Sequence, residues 1–199
     1  RYDRGYINQV LDRSVLCHLG YLDGKHPLVT PTVHWRIDDY LYWHGAKAAR
    51  YMRASQNADV CVTVTHLDGL VLARSAFHHS ANYRSVMIFG RAQPVHDSDH
   101  KEAALKAMIE KFYPDRWDQL RPMTAGEFEG TAVIRVAIDE ASAKVRSGPP
   151  IDDDADYQLP IWAGVVPVSQ QFGEPLADPR QHADAKTPAH AVDLGTRLD

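Results

Sequence analysis

Two periodicities divide this chain into strands and helices. Apolar and threonine residues alternate over 60–65, which is typical of a strand with one buried face. Related patterns predict strands over 15–22, 28–37, 40–44, 70–77, 83–95, 131–138 and 141–146. We expect helices over 4–13, 46–56 and 99–112.

Short turns between the strands indicate antiparallel pairing. Residues 23–24 (Asp-Gly) and 38–39 (Asp-Asp) predict tight turns, and 67–69 (Leu-Asp-Gly) predicts a hairpin that returns as strand 70–77. Segment 141–146 is expected to form a hairpin with strand 131–138. About six or seven strands with few helices predict a mainly β protein, a closed antiparallel barrel with helices outside.

The composition changes after residues 147–150 (Ser-Gly-Pro-Pro). Residues 159–168 are apolar but interrupted by prolines, and the residues beyond them are polar and rich in Pro, Asp and His. We therefore expect one domain over 1–168 and a loosely ordered polar tail over 169–199.

Bulk composition narrows the class of protein. A formal net charge of -4 argues against general nucleic-acid binding, which requires a basic face. The apolar runs are too short to span a bilayer, so no membrane partner is expected. Cys17 and Cys61 lie alone in apolar stretches and are interpreted as core residues of a cytoplasmic protein, with a disulfide between them as the alternative.

The passage 41–50 (Leu-Tyr-Trp-His-Gly-Ala-Lys-Ala-Ala-Arg) joins a strand to a helix and suggests an anion site. Lys47 and Arg50 fall near the expected helix start, where free N–H groups attract a phosphate. A second cluster, Arg84 and Ser85, opens a strand and offers an arginine fork beside a hydroxyl. The alternatives are a solvated basic face for the first cluster and a surface charge for Arg84.

Histidines are the other candidates for chemistry. His44, just before the turn, is either a functional residue or a hydrogen-bonded packing residue. The doublet His78-His79 is a poor chelate because neighbouring side chains on an extended segment point apart, and His96 and His100 have no ligand frame around them. No metal site is therefore expected, and nucleotide-binding glycine motifs and G-x-S-x-G are absent from the sequence.

Trp162 lies in the proline-interrupted segment near the C-terminus. It is interpreted either as a core or interface anchor, or as part of an arm that reaches across a dimer and covers a flat ligand.

Four segments in this order resemble the pyridoxamine 5'-phosphate oxidase-like flavin-binding split-barrel superfamily, and in particular its branch related to the Nim nitroimidazole-resistance proteins. These segments are P-L-V-T-P-T-V-H-W at 27–35, L-Y-W-H-G-A-K at 41–47, N-Y-R-S-V-M-I-F-G-R-A at 82–92 and W-A-G-V-V-P at 162–167. The resemblance implies a six-stranded Greek-key split barrel that forms a homodimer, with FMN sites at the interface.

The resemblance also implies roles for individual residues. Lys47, Arg84 and Ser85 would hold the FMN phosphate. Arg50 is a further cofactor-binding candidate, from its place in the helix-start cluster and not from the resemblance. The side chains or backbone of three residues would lie along the isoalloxazine ring: Val29, Thr30 and Thr32. His44 would lie near flavin and substrate, and Trp162 would come from the partner chain.

These features give a leading function and two alternatives. The leading hypothesis is an FMN-dependent oxidoreductase that reduces nitroaromatic or other small electrophilic molecules, with His44 donating a proton or orienting the substrate. Vitamin B6 oxidation is not expected, because the C-terminal arginine- and histidine-bearing motif of the true oxidases is missing. The alternatives are a non-catalytic flavin carrier or sensor, and a haem-binding split barrel whose axial ligand is His34, His44, His78 or His79.

Overall fold

The computed structural model describes residues 2–194, and the statements below concern these residues. Arg1 and residues 195–199, the last part of the predicted tail, lie outside them. The helices are α1 (Arg4–Asp12), α2 (Arg50–Ser55), α3 (Ser98–Phe112), α4 (Ala125–Gly130) and α5 (Ala189–Val192). The strands are β1 (Leu16–Asp23), β2 (His26–Ile37), β3 (Tyr40–Ala46), β4 (Asp59–Leu72), β5 (Ser80–Arg91), β6 (Gln93–Pro94), β7 (Thr131–Ala137), β8 (Glu140–Arg146) and β9 (Gly164–Pro167).

The strands form one curled antiparallel sheet in the order β6-β7-β3-β2-β1-β4-β5-β8, with β9 added beside β4. The long strand β2 joins its two halves, because residues 26–33 pair with β1 whereas residues 34–37 pair with β3. The mainly β fold with flanking helices is confirmed, as a half-barrel of the split-barrel type. The strand count exceeds six because short strands such as β6 and β9 extend the sheet.

The expected hairpin at 67–69 is wrong. Strand β4 continues through it, and the register against β5 shifts between Leu67 and Gly69. Asp68 is thus the extra residue of a β-bulge, which bends a strand and redirects a side chain without reversing the chain. Turn-forming residues alone do not distinguish a bulge from a hairpin, because both accept Asp and Gly.

The expected hairpin between 131–138 and 141–146 is also wrong. Strand β7 pairs with β3 on one edge and with β6 on the other. Strand β8 instead adds to the free edge of β5. A strand has only two edges for hydrogen bonding, so the partners of β7 leave no place for β8.

Helix α2 begins later than the sequence predicts, at Arg50 rather than at residue 46. Residues 46–49 form a turn closed by the Ala49 N–H on the Ala46 carbonyl, and the Lys47 N–H donates to the Gly130 carbonyl at 2.8 Å. Lys47 therefore lies outside the helix. Of the two cations expected in the first turn of this helix, only Arg50 lies there.

Helix α1 ends inside the protein, where polar side chains from three other elements bond its last carbonyls and the turn beyond. The His66 and His34 Nε2–H groups donate to the carbonyls of Val10 and Leu11, both at 3.0 Å. The Lys111 ammonium donates to the Ser14 carbonyl at 3.3 Å. Terminal carbonyls of a helix have no donor in a following helical turn, and these side chains bond them instead; the Leu11 carbonyl also accepts the Ser14 N–H at 3.3 Å.

The cap places titratable groups in the core. His34 is fully buried, and burial lowers the pKa of its imidazole to about 3, so the ring is neutral. Burial lowers the pKa of the Lys111 ammonium from 10.5 to about 8. The chain otherwise packs an apolar core, and none of the helices between residues 2 and 194 is long and apolar enough to cross a bilayer.

Lys111→Met should change how stability depends on pH. Between about pH 8 and pH 10.5 the unfolded state holds the Lys111 proton and the folded state releases it, so the free energy of unfolding of the wild type rises with pH. The gain relative to Lys111→Met should approach at most about 1.4 kcal/mol per pH unit. Urea unfolding from pH 7 to pH 10 measures this dependence of the free energy of unfolding on pH.

Lys106→Met, on the exposed side of α3, is the control for this prediction. Parallel curves of unfolding free energy against pH for the wild type and Lys111→Met would contradict it.

Gly45→Ala should destabilise the fold. A Cβ there would overlap the Tyr51 hydroxyl, which donates to the His44 carbonyl at 2.8 Å. Such overpacking costs about 1–3 kcal/mol in the free energy of unfolding. Gly126→Ala is the matched control, since a Cβ at Gly126 meets no described atom within 4 Å, and should leave stability unchanged or raise it by up to about 1 kcal/mol. Equal unfolding midpoints would contradict this account of residue 45.

Candidate functional site

The cations predicted to bind phosphate differ in their partners. Arg50 forms an ion pair with Asp23 at the end of β1. Lys47 is exposed, and no salt bridge to it is found among the described residues. Among the described residues, Arg50 therefore has a carboxylate close to its charge and Lys47 does not.

Arg84 is already engaged by a carboxylate. Its Nε and Nη2 groups donate to the Asp68 carboxylate, with the shortest contact at 2.7 Å. The bulge in β4 is what directs Asp68 toward Arg84. Ser85 donates its hydroxyl to the Lys144 carbonyl at 3.4 Å. An incoming phosphate would have to share Arg84 with Asp68 or replace that carboxylate.

The two predicted phosphate clusters lie far apart within one chain. Arg84 pairs with His66 on β4, whereas Asp23, the partner of Arg50, lies near the opposite end of β4. Arg91, which marks that end, lies seven positions along β5 from Arg84. At about 3.3 Å per residue the separation is on the order of 20 Å. Within one chain, the Arg50–Asp23 pair and Arg84 therefore do not meet around a single phosphate.

The three residues expected along a flavin ring lie on different faces of β2. Val29 is exposed on the outer face of the sheet, whereas Thr30 and Thr32 are half-buried on the other face. The Thr30 hydroxyl is 3.1 Å from the Tyr21 hydroxyl. A flat ligand on the outer face would meet the Val29 side chain and only the backbone of the two threonines.

Trp162 lies on the surface, 67% exposed, and its ring packs beside Gly164 at the start of β9. It is not a core anchor within this chain. Such exposure of a large ring is common at binding surfaces.

His44 differs from the other histidines in its surroundings. It lies on β3, its ring centroid 5.8 Å from that of Trp35. Its Nδ1 atom is buried and has no hydrogen-bond partner among the described residues, a state that it shares with Nδ1 of His34. Burial lowers the pKa of the imidazole, so the ring is neutral near pH 7. A neutral imidazole with an unpaired nitrogen can accept a hydrogen bond or bind a metal.

A cavity of about 240 Å³ lies against His44. Apart from His44 and Tyr113, its walls are apolar, with side chains from β2, α3 and the segment after α1. The lining residues are Val15, Val33, His44, Met108, Ile109, Phe112, Tyr113, Phe172 and Leu194. The last two belong to the segment predicted as a loose tail. The sequence did not lead us to expect Phe172 at a cavity. The signal that could have indicated it is a single aromatic residue within a polar stretch.

The other histidines considered as axial ligands are engaged elsewhere. His34 caps α1 from inside the core. His78 lies 3.7 Å from the Asp153 carboxylate, and the ring Nδ1 of His79 bonds the Ser75 carbonyl. Within residues 2–194, no group of three His, Cys, Asp or Glu side chains is arranged to hold a metal ion.

The outer face of the sheet carries exposed apolar side chains. Leu22, Val29, Met87 and Phe89 are each at least two-fifths exposed, and three of them line a shallow groove with Cys61. Clusters of this kind mark association surfaces.

Comparisons with known proteins agree with this architecture. The family model described as pyridoxamine 5'-phosphate oxidase matches residues 3–145. A comparison with curated proteins finds no match.

Several solved structures superpose on the chain. The flavocytochrome Anf3 from Azotobacter vinelandii is 44% identical, with a TM-score of 0.94, and the alignment covers 97% of this chain and 90% of that one. The FAD and haem binding protein from Mycobacterium smegmatis is 34% identical, with a TM-score of 0.93 and coverage of 98% and 96%. A protein from Bacteroides thetaiotaomicron, described as a 5-nitroimidazole antibiotic resistance protein, is 21% identical with a TM-score of 0.60 and coverage of 72% and 84%, which shows a shared fold alone.

Arg84→Ala should weaken flavin binding by about 1.5–3 kcal/mol, the scale of a lost charged hydrogen bond. Titration of flavin into the purified protein, followed by flavin fluorescence, measures the change. Asp68→Asn is the informative companion, because it frees Arg84 and should leave binding equal or tighter. Arg91→Ala, on the same strand with a longer 3.6 Å ion pair, is the control. Unchanged affinity in Arg84→Ala would remove Arg84 from the site.

Proposed function

This chain belongs to the pyridoxamine 5'-phosphate oxidase family, and we propose that it is a flavin-dependent oxidoreductase that carries haem as a second redox group. The observation that carries the proposal is the apolar cavity at His44. It combines an imidazole that burial keeps neutral with walls that are otherwise almost entirely apolar, the kind of surrounding that tunes a haem.

The most informative relatives support two cofactors rather than one. The flavocytochrome from Azotobacter vinelandii and the FAD and haem binding protein from Mycobacterium smegmatis each align over nearly the whole of this chain, including its C-terminal part. The family model ends at residue 145, so the part beyond is shared with these two proteins and lies outside the family model.

His44 is the axial ligand in this proposal. Among the four histidines considered from the sequence, His34, His78 and His79 each have a ring nitrogen that bonds or lies near another group. His44 alone of the four borders the cavity. When bound, haem supplies one-electron chemistry, and the chain supplies the ligand and an apolar surrounding that tunes its potential.

The flavin would be bound near the residues expected from the sequence, with Lys47, Arg84 and Ser85 as phosphate ligands. Since these lie apart in one chain, a homodimer with flavin sites at the interface is the arrangement that could combine them, and the outer apolar face offers a surface for it. Trp162, exposed beside β9, would then cover flavin of the partner. The sequence suggested FMN, but the Mycobacterium smegmatis relative favours FAD.

A reductase of nitroaromatic or other small electrophiles is the second candidate. Its support is the fold shared with the Bacteroides protein. In that case His44 would contact substrate, and the protein would reduce a nitro acceptor without haem. A flavin carrier or sensor would bind flavin and show no turnover. As expected from the sequence, the proposed protein acts on a small-molecule substrate and is cytoplasmic.

Absorbance spectra of the purified protein test the proposal. We expect flavin bands together with a Soret band after haem is added and excess removed, and chromatography of the released flavin identifies FAD or FMN. His44→Ala should lose the Soret band and keep the flavin bands, because it removes the ligand from the cavity. His79→Ala, on an exposed loop, is the matched control and should keep both.

Two results would overturn the assignment. A wild type that takes up flavin and shows no Soret band would remove haem and favour the reductase or the carrier. A Soret band that survives in His44→Ala would keep haem but place its ligand elsewhere.

A further inference from the structure

The C-terminal segment, residues 169–194, meets the domain at few points. From Ser169 to Thr187 every residue is exposed, and Phe172 is the one in this stretch that reaches the cavity, at 44% exposure. Near the end, α5 buries His190, whose ring centroid lies 6.2 Å from that of Tyr113. Tyr113 itself lines the cavity.

The cavity therefore has a fixed side and an added side. The fixed side comes from β2, β3 and α3, whose residues are held by the sheet and the core. The added side consists of Phe172 and Leu194, both on the C-terminal segment. Few buried contacts hold this segment, so it can move outward at a lower free-energy cost than any strand of the sheet.

We propose that the C-terminal segment is the size-selective wall of the His44 cavity, in which Phe172 and Leu194 set the largest molecule that can reach the imidazole or the group bound to it. The walls carry no charged side chain among the described residues, so the molecule admitted is small and uncharged. A molecule that carried its charged group in between these walls would lose the hydration of that group without gaining a partner. This inference rests on the proposed function in one respect: haem iron is the group that the admitted molecule would reach in the cavity.

The first test does not involve a cofactor. His44→Cys places a thiol in the cavity, and Cys61→Ser removes the half-buried native thiol; Cys17 is buried, and burial raises the pKa of its thiol to about 12. Reaction of the introduced thiol is followed with methyl methanethiosulfonate and with a bulky maleimide. We expect Phe172→Ala with Leu194→Ala to accelerate the maleimide reaction by about tenfold or more, and the smaller reagent less.

Leu176→Ala is the matched control, since Leu176 lies on the same segment and is 94% exposed. It should leave both rates unchanged. Equal maleimide rates in all variants would overturn the proposal. An unfolding curve for each variant shows whether the substitutions destabilise the fold. If the fold were lost, the buried thiol of Cys17 would also react faster, with both reagents.

The second test uses the haem-loaded protein, with imidazole and 4-phenylimidazole as probes and the Soret shift as readout. Wild type and Leu176→Ala should bind imidazole in preference to 4-phenylimidazole, and Phe172→Ala should reduce that preference by about tenfold. An unchanged preference contradicts the wall. Absence of any Soret band in the wild type counts against the proposed function alone, and the thiol test still decides the inference.

Discussion

The buried end of α1 is the constraint on which the arrangement of this protein depends. Three side chains, from β2, β4 and α3, bond its last carbonyls and the turn beyond. An unpaired carbonyl in the core costs about 1–3 kcal/mol, so these three elements are held at fixed positions relative to the helix. The cavity at His44 lies between two of them, β2 and α3, and next to the chain that leaves α1.

That constraint also explains why two titratable residues that are wholly or partly shielded from solvent are not the functional ones. His34 and Lys111 have large pKa shifts, and such shifts often indicate a catalytic group. Both instead serve the helix end, with hydrogen bonds that account for their burial. The pKa of His44 is also lowered, but His44 lines a cavity, and this makes it the better candidate.

Charge pairing changes the interpretation of the predicted anion site. The sequence shows cations near a turn and at a strand start, and it does not show the carboxylates that face them. Asp68 and Asp23 neutralise Arg84 and Arg50 across the sheet. The Arg50–Asp23 pair is largely exposed on its Arg50 side, and such pairs contribute little to stability, so a phosphate could compete with Asp23, whereas Lys47 needs no such exchange. If flavin binds as proposed, its affinity depends on how readily Asp68 gives up Arg84.

Local patterns in the chain were sufficient to predict the strands and most helices, because these follow from periodicity and from signals between near neighbours. They also pointed to His44 and to the split-barrel resemblance. The bulge at 67–69, the pairing of β8 with β5, and the places of Phe172 and Leu194 at the His44 cavity came from the three-dimensional arrangement. Each of these depends on which distant residues compete for the same strand edge or apolar surface, and no local pattern contains that information.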